Sequence, residues 1–247
     1  MSATGAQPGE NMTEQQAAAA VQQMFDSIAP KYDLLNHVLS AGIDRRWWRR
    51  CATTFRDTLA KPEAVVLDLC CGTGDMTSAL LALRPSPAEQ MVAVDFSHEM
   101  ISRGIEKHRG HNVCFVEADA LNLPMPDNSF DLVVSAFGFR NLANYDAGLR
   151  EIARVLKPGG QIGILDFNQP GGPIGKLYAF YFRRVLPAIG AAISRSASAY
   201  AYLPASVGRF PKPPEMLNKM ETAGYTHTTW TPYTFGIAGL YRGTRLG

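Results

Sequence analysis

Short, nearly continuous apolar runs at residues 64–69, 91–95, 113–117, 130–136 and 161–167 alternate with helical periodicity at 76–83, 98–107 and 147–156. Strands that are apolar almost throughout and are joined by helices belong to a parallel sheet covered on both faces. The pattern predicts an α/β, doubly wound fold. A helical pattern at 214–223 then precedes two strand-like runs, 225–231 and 235–241, with Pro232 between them. Those complete the sheet as an antiparallel pair, giving seven strands, most of them parallel. At 247 residues and 46% apolar composition the chain has the material for a core of that size.

Ahead of the first strand, residues 13–25 read as a helix with Thr13 as its N-cap. Its polar surface suits a cover. Pro30 breaks the pattern, and 32–39 and 45–55 form further helical pieces on either side of Gly42. Lys157, Pro158, Gly159 and Gly160 end a helix and turn the chain into the fifth strand. The expected organisation is a flexible tail over 1–12 and one catalytic domain over 13–247. Within it, 13–60 is a helical lid and 61–247 a Rossmann-like core whose C-terminal part covers the substrate.

Several function classes fall away. The 24 basic and 22 acidic residues are mixed along the chain, so no strong field for nucleic acid arises. Cys51, Cys70, Cys71 and Cys114 form no C-x-x-C pair and have no histidines at ligand spacing, which argues against a disulfide framework and a metal site. A reducing cytoplasm is the simplest setting. The start of the chain has no basic segment leading into an apolar core, so a secretory signal is not expected. The longest apolar candidate, 177–193, contains Arg183, Arg184 and Pro187. Any membrane contact is therefore from one side.

The segment 65–75, VVLDLCCGTGD, places a glycine turn directly between the first strand and a helix, where open α/β sheets bind ligands. Gly72 and Gly74 let the backbone approach a ligand closely, although a bare strand-to-helix turn uses glycines too. Asp68 flanks the loop, Asp75 starts the helix, and the third glycine of a dinucleotide site is replaced by Thr77. An anion is repelled there, whereas a sulfonium with an ammonium group is welcome.

Asp95 ends the second strand, placed to accept both hydroxyls of a ribose, with Phe96 beside it; a helix cap is the plainer alternative, but Ser97 is better suited to that. Asp119 and Ala120 follow the third strand, where one carboxylate and one backbone amide can read an adenine edge.

Residues 25–36 (FDSIAPKYDLLN), 67–75 (LDLCCGTGD), 136–141 (AFGFRN) and 236–243 (GIAGLYRG) resemble the UbiE/MenG family, which C-methylates prenylated quinol precursors of menaquinone and ubiquinone. The resemblance runs from about residue 21 to the end. It implies the Rossmann-like class I fold of S-adenosylmethionine-dependent methyltransferases, with S-adenosyl-L-methionine held by Thr73, Asp95, Asp119 and Ala120. Ala136 matches a position where some members carry serine, so that hydroxyl is missing here. Cys70 stands where the general methyltransferase pattern has its first glycine.

Methyl transfer from a sulfonium is an in-line displacement that needs alignment more than a metal. The harder step is making a ring carbon nucleophilic, which a hydroquinone does when it loses a proton against a phenolic pKa of about 10. Arg140, just past the fourth strand, is placed to stabilise that oxyanion; pairing with an acid such as Asp146 is its plainer role. Asn141 is a candidate to orient the second quinol oxygen. Tyr32, Asp33, Asn36 and His37 lie on a segment expected to fold over the cofactor, with Tyr32 touching it and Asp33 or His37 taking the proton.

The stretch 176–186, KLYAFYFRRVL, suits a bilayer surface or a groove for an isoprenoid tail as well as it suits a core helix. Trp47 and Trp48 among Arg45, Arg46, Arg49 and Arg50 pose the same question. The activity implied is methylation of a ring carbon of demethylmenaquinol; the benzoquinol precursor of ubiquinone and another small acceptor remain as alternatives. A homodimer is compatible with this reading. A nicotinamide oxidoreductase is disfavoured by Asp75 and the missing glycine, and a non-catalytic cofactor-binding subunit would not need Arg140.

Overall fold

In the computed structural model, residues 3–9, 12–29, 42–172, 175 and 197–247 are described. The side chains of residues 197–201 are excepted. The helices are α1 (Glu14–Ile28), α2 (Asp44–Thr54), α3 (Arg56–Leu59), α4 (Asp75–Leu81), α5 (His98–Lys107), α6 (Tyr145–Val155), α7 (Ala197–Arg209) and α8 (Pro213–Thr222). The strands are β1 (Val66–Leu69), β2 (Met91–Asp95), β3 (Val113–Glu117), β4 (Phe130–Ala136), β5 (Leu156–Phe167), β6 (Tyr225–Tyr233) and β7 (Ala238–Arg245).

They form one seven-stranded sheet in the order β3-β2-β1-β4-β5-β7-β6. The first five strands pair in parallel, and β7 runs antiparallel to both β5 and β6. Strand order reverses beside β1, between its neighbours β2 and β4, and ligands of open α/β sheets bind at such a switch point, outside the carboxyl ends of the strands.

Burial on both faces explains the apolar runs. Val66, Leu132, Val134, Leu165 and Leu240 pack on one side with Trp47, Cys51 and Phe55 of the N-terminal segment and Leu80 of α4. Leu67, Leu69, Val133, Ile162, Ile164 and Tyr241 face the other side, against Leu149 and Ile152 of α6 and Met216 of α8. Alternate residues of one strand thus serve two cores.

Helix α1 begins as the sequence predicts. The Thr13 hydroxyl accepts from Gln16 N at 3.2 Å while Gln16 Oε1 accepts from Thr13 N at 3.0 Å, a reciprocal cap. The helix covers the edge near β2: Gln22 Nε2 donates to Phe96 O at 2.6 Å and the Ser97 hydroxyl donates to Asp26 Oδ1 at 2.5 Å.

Three expectations are corrected. The small N-terminal residues are not a free tail throughout. Thr4 N and Gly5 N donate to Ala143 O at 3.1 and 2.9 Å, and Ala6 N donates to Leu142 O at 2.8 Å. Their smallness is what permits this, since a Cβ on Gly5 would lie 2.1 Å from Leu142 O. Strand β5 begins at Leu156, opposite Phe130, and residues 157–160 bulge before Gln161 pairs with Leu132; Gly159 carries φ 79°. Pro232 lies inside β6 opposite Gly239, and the turn that follows is Thr234–Gly236.

Candidate functional site

The loop after β1 is closed by its neighbours. Cys71 N donates to Val94 O at 2.9 Å, and Gly72 N donates to Asp95 Oδ2 at 2.9 Å. Both bonds tie it to β2. The chain passes through left-handed backbone at Cys70 (φ 56°), Gly72 (φ 55°) and Gly74 (φ 88°) before α4 starts. At Gly74 two demands meet: the positive φ, and His108, whose Cε1 would lie 2.5 Å from a Cβ.

Asp95 is 7% exposed, its second oxygen accepting from Ser97 N at 3.0 Å. Burial pushes its carboxyl up to about 6, against amides that favour the ionised form. Ser97 is the cap of α5, accepting from Met100 N at 3.2 Å, so Asp95 is left to the loop. Asp68 is fully buried and raised to about 7, chiefly by burial; the Thr77 hydroxyl donates to its Oδ2 at 2.5 Å. Its Oδ1 is buried without a hydrogen-bond partner among the described residues. Thr77, read as a missing glycine, is thus the group that holds Asp68.

Asp75 is not a lone carboxylate at the helix start, because Lys107 Nζ lies 2.5 Å from its Oδ1 and 3.4 Å from the Thr73 hydroxyl. The acidity around the turn therefore comes from Asp95, Asp68 and Asp119. Asp119 is exposed, with Oδ1 accepting from Leu121 N at 2.9 Å, and Ala120 beside it is buried. Phe96 is half-buried edge-on to Phe25 of α1, ring centroids 6.4 Å apart.

On the other side of β1, half-buried Ala136 ends β4, and Phe137 turns the chain with φ 59°. Gly138 lies directly against the first loop: a Cβ there would meet Cys70 Cβ at 2.3 Å. Contact this close puts Arg140 and Asn141, in the single turn Phe139–Asn141, next to the glycine loop.

Arg140 is 6% exposed. Its partner is not Asp146, which takes Lys219 at 3.0 Å, but fully buried Asp166 near the end of β5. Asp166 accepts from Arg140 N at 2.9 Å, from Arg140 Nη1 at 3.0 Å and from Phe167 N at 2.8 Å. Nη1 also donates to Phe137 O, and the guanidinium lies 5.3 Å from the Phe167 ring centroid. Burial pushes the Asp166 carboxyl up while Arg140 pulls it back. Asn141 Oδ1 accepts from the Tyr202 hydroxyl at 3.1 Å.

Asp166 and Tyr202 are absent from the sequence expectations, as is the packing of Trp47 with Phe137 and Phe167, whose Phe137 and Phe167 rings lie 4.6 Å apart. A signal for Asp166 existed: ILDF at 164–167 repeats the form of AVDF at 93–96. Tyr32, Asp33, Asn36, His37 and the stretch 176–186 lie outside the described residues. Among the described residues no helix is long and apolar enough to cross a membrane.

Comparison with known proteins adds to this geometry. The model of the ubiE/COQ5 methyltransferase family matches residues 11–245. A demethylmenaquinone methyltransferase of Deinococcus radiodurans is 45% identical over 235 residues, 94% of this chain and 95% of that protein. A ubiquinone/menaquinone biosynthesis C-methyltransferase UbiE of Geotalea daltonii is 40% identical, covering 91% of this chain and 96% of its own. Among solved structures, a putative S-adenosyl-L-methionine-dependent methyltransferase of Methanococcus maripaludis superposes with a TM-score of 0.61 at 18% identity, over 90% of this chain and 94% of its own. The [4+2]-cyclase SpnF gives 0.58 at 20% identity, over 95% and 97%. These last two establish the fold only, since proteins named for different reactions share it.

Proposed function

Because the chain belongs to the ubiE/COQ5 methyltransferase family, we propose that it methylates a ring carbon of demethylmenaquinol, a 2-polyprenyl-1,4-naphthoquinol, in menaquinone biosynthesis. The methyl donor is S-adenosyl-L-methionine. The observation that carries the reading is the contact of the two loops at Cys70 and Gly138, which sets an acidic glycine turn against a buried arginine.

The residues fit that donor. A turn bordered by Asp68, Asp95 and Asp119, whose neighbour Lys107 is taken up by Asp75, suits a ligand with positive sulfur and nitrogen. When bound, it supplies an electrophilic methyl group. Asp95 accepts ribose hydroxyls, Gly72, Thr73 and Gly74 line the donor's approach, and Phe96, Asp119 and Ala120 receive the adenine. Ala136 offers only backbone and a methyl.

Arg140 holds the quinol oxygen as its anion, which raises electron density at the ring carbon to be methylated. Asp166 keeps the guanidinium in one orientation, and Asn141, braced by Tyr202, orients the second oxygen. Asp33 takes the phenolic proton, and Tyr32 closes over the donor. Of the lid expected over 13–60, α1 is fastened to the β2 end through Gln22 and Asp26, while α2 is held in the core by Trp47, Cys51 and Phe55 and takes no part in closure. The protein works in the cytoplasm at the inner face of the membrane that holds its substrate.

The test is incubation of the purified protein with labelled methyl donor and either demethylmenaquinol or the benzoquinol precursor of ubiquinone, both reduced. Label in the naphthoquinol ring is the expected result. Label in the benzoquinol alone moves the substrate assignment, and label in neither overturns the reading.

A further inference from the structure

Helix α2 buries Asp44, Trp47, Cys51 and Ala52 and leaves Arg45, Arg46, Arg49 and Arg50 exposed. At 3.6 residues per turn the four form one stripe about 140° wide. Arg45 and Arg49, like Arg46 and Arg50, stand four residues apart, where like charges repel. Of the ion pairs among the described residues none uses any of the four. The stripe therefore works against the helix that carries it, and its charge is available to an anion outside the chain.

Two contacts fix this stripe beside the turn Thr234–Gly236. The Arg50 guanidinium lies 4.1 Å from the Tyr233 ring centroid, and Trp47 Nε1 donates to the Thr234 hydroxyl at 2.8 Å. At the tip of that turn Phe235 is 79% exposed, more than Ile105 at 51% and Leu246 at 55%, the other exposed large apolar side chains among the described residues. Its φ of 58° is a conformation glycine adopts more easily. The turn alone does not call for phenylalanine. Tyr233 and Ala238 flank it, and Ala238 pairs with Phe167, so the turn stands at the sheet edge that carries Arg140 and Asp166.

We propose that the arginine stripe of α2 and Phe235 are the surface on which the protein rests on an anionic lipid bilayer. The guanidinium groups meet lipid phosphates, and the phenyl ring enters the interface. This deepens, and rests on, the reading of a prenylated quinol substrate, which partitions into lipid and must reach a site on the same edge. An acidic protein would also satisfy the arginines. It is the less favoured partner because one protruding ring is not the contiguous apolar centre that a protein interface buries.

The test is flotation of the purified full chain with vesicles of phosphatidylcholine alone or with phosphatidylglycerol added. Binding is expected only to the vesicles with phosphatidylglycerol. The double variant Arg46→Gln, Arg49→Gln should weaken it about twenty-five-fold, since each basic side chain near such a surface contributes about fivefold. Phe235→Gly should weaken it about fivefold while leaving Tm unchanged or higher. Both variants should keep wild-type turnover on a short-tailed, water-soluble demethylnaphthoquinol. Failure of the wild type to float, or equal flotation of wild type and both variants, overturns the proposal. If the wild type floats through these residues but does not methylate the short-tailed quinol, the substrate reading fails and the membrane surface stands.

Discussion

Asp166 holds Arg140 at two points, accepting from its backbone amide at 2.9 Å and from its Nη1 at 3.0 Å. The turn that carries the arginine and the direction of its side chain are thus set by one carboxylate. Arg140→Lys retains the charge but loses the planar fork, and turnover should fall on the order of a hundredfold. The dissociation constant of S-adenosylhomocysteine should stay within about twofold of wild type, because the residue acts on the acceptor. Single-turnover methyl transfer beside calorimetric titration checks both. Wild-type turnover in this variant removes Arg140 from the mechanism. Asp166→Ala strands a buried cation and should lower stability by about 3–5 kcal/mol in urea unfolding.

The carboxyls of Asp95 and Asp68 titrate at about 6 and about 7 in the folded chain, above the ordinary 3.8. For acids raised in this way the contribution to stability is fully present below about pH 4 and is lost as pH climbs through the folded values. The cofactor-free protein should therefore unfold at a lower temperature at about pH 7.5 than at about pH 5. Cofactor affinity should run the opposite way, because an ionised Asp95 is the better acceptor for ribose hydroxyls and the better neighbour for a cation. Titration of S-adenosylmethionine across that interval should show the dissociation constant falling. Asp95→Asn should bind more weakly and lose the lower part of the slope; an unaltered profile in that variant would clear Asp95 of the role.

Gly138 and Cys70 predict a coupled pair. Alanine at 138 puts a methyl group 2.3 Å from Cys70 Cβ, so Gly138→Ala should destabilise by about 1–3 kcal/mol. Cys70→Gly removes the obstructing carbon at a position whose φ of 56° suits glycine, and alone should be neutral or stabilising by up to about 1 kcal/mol. Urea midpoints of both single variants and the double should give a favourable coupling of at least about 0.5 kcal/mol. Strict additivity would mean that the loops do not touch.

The sheet was legible because burial on two faces writes itself into consecutive residues. Strands β2, β3 and β4 have the bounds that their apolar runs predict. The pattern fails where backbone geometry, not side-chain polarity, decides. At 157–160 the chain bulges after already pairing at Leu156, and Phe235 reads as strand although its left-handed backbone makes a turn. In the candidate site, Gly72, Gly74 and Asp95 were legible from a local run of residues. The partners of Arg140 and Asp75 were not. Asp166 and Lys107 lie 26 and 32 residues away along the chain, and only the packing of the sheet and its helices brings each pair together. The N-terminal residues misled for a related reason: small side chains read as freedom, yet they let Gly5 lie against Leu142.

Strand β7, the last in sequence, is an inner strand, hydrogen-bonded to β5 on one edge and β6 on the other. Leu240 and Tyr241 of β7 seal opposite faces of the sheet. Without β7, β5 would end in an open ladder and β6 would lose the strand it pairs with. Damage to this one strand therefore opens both cores at once and leaves an exposed edge ready to capture another chain.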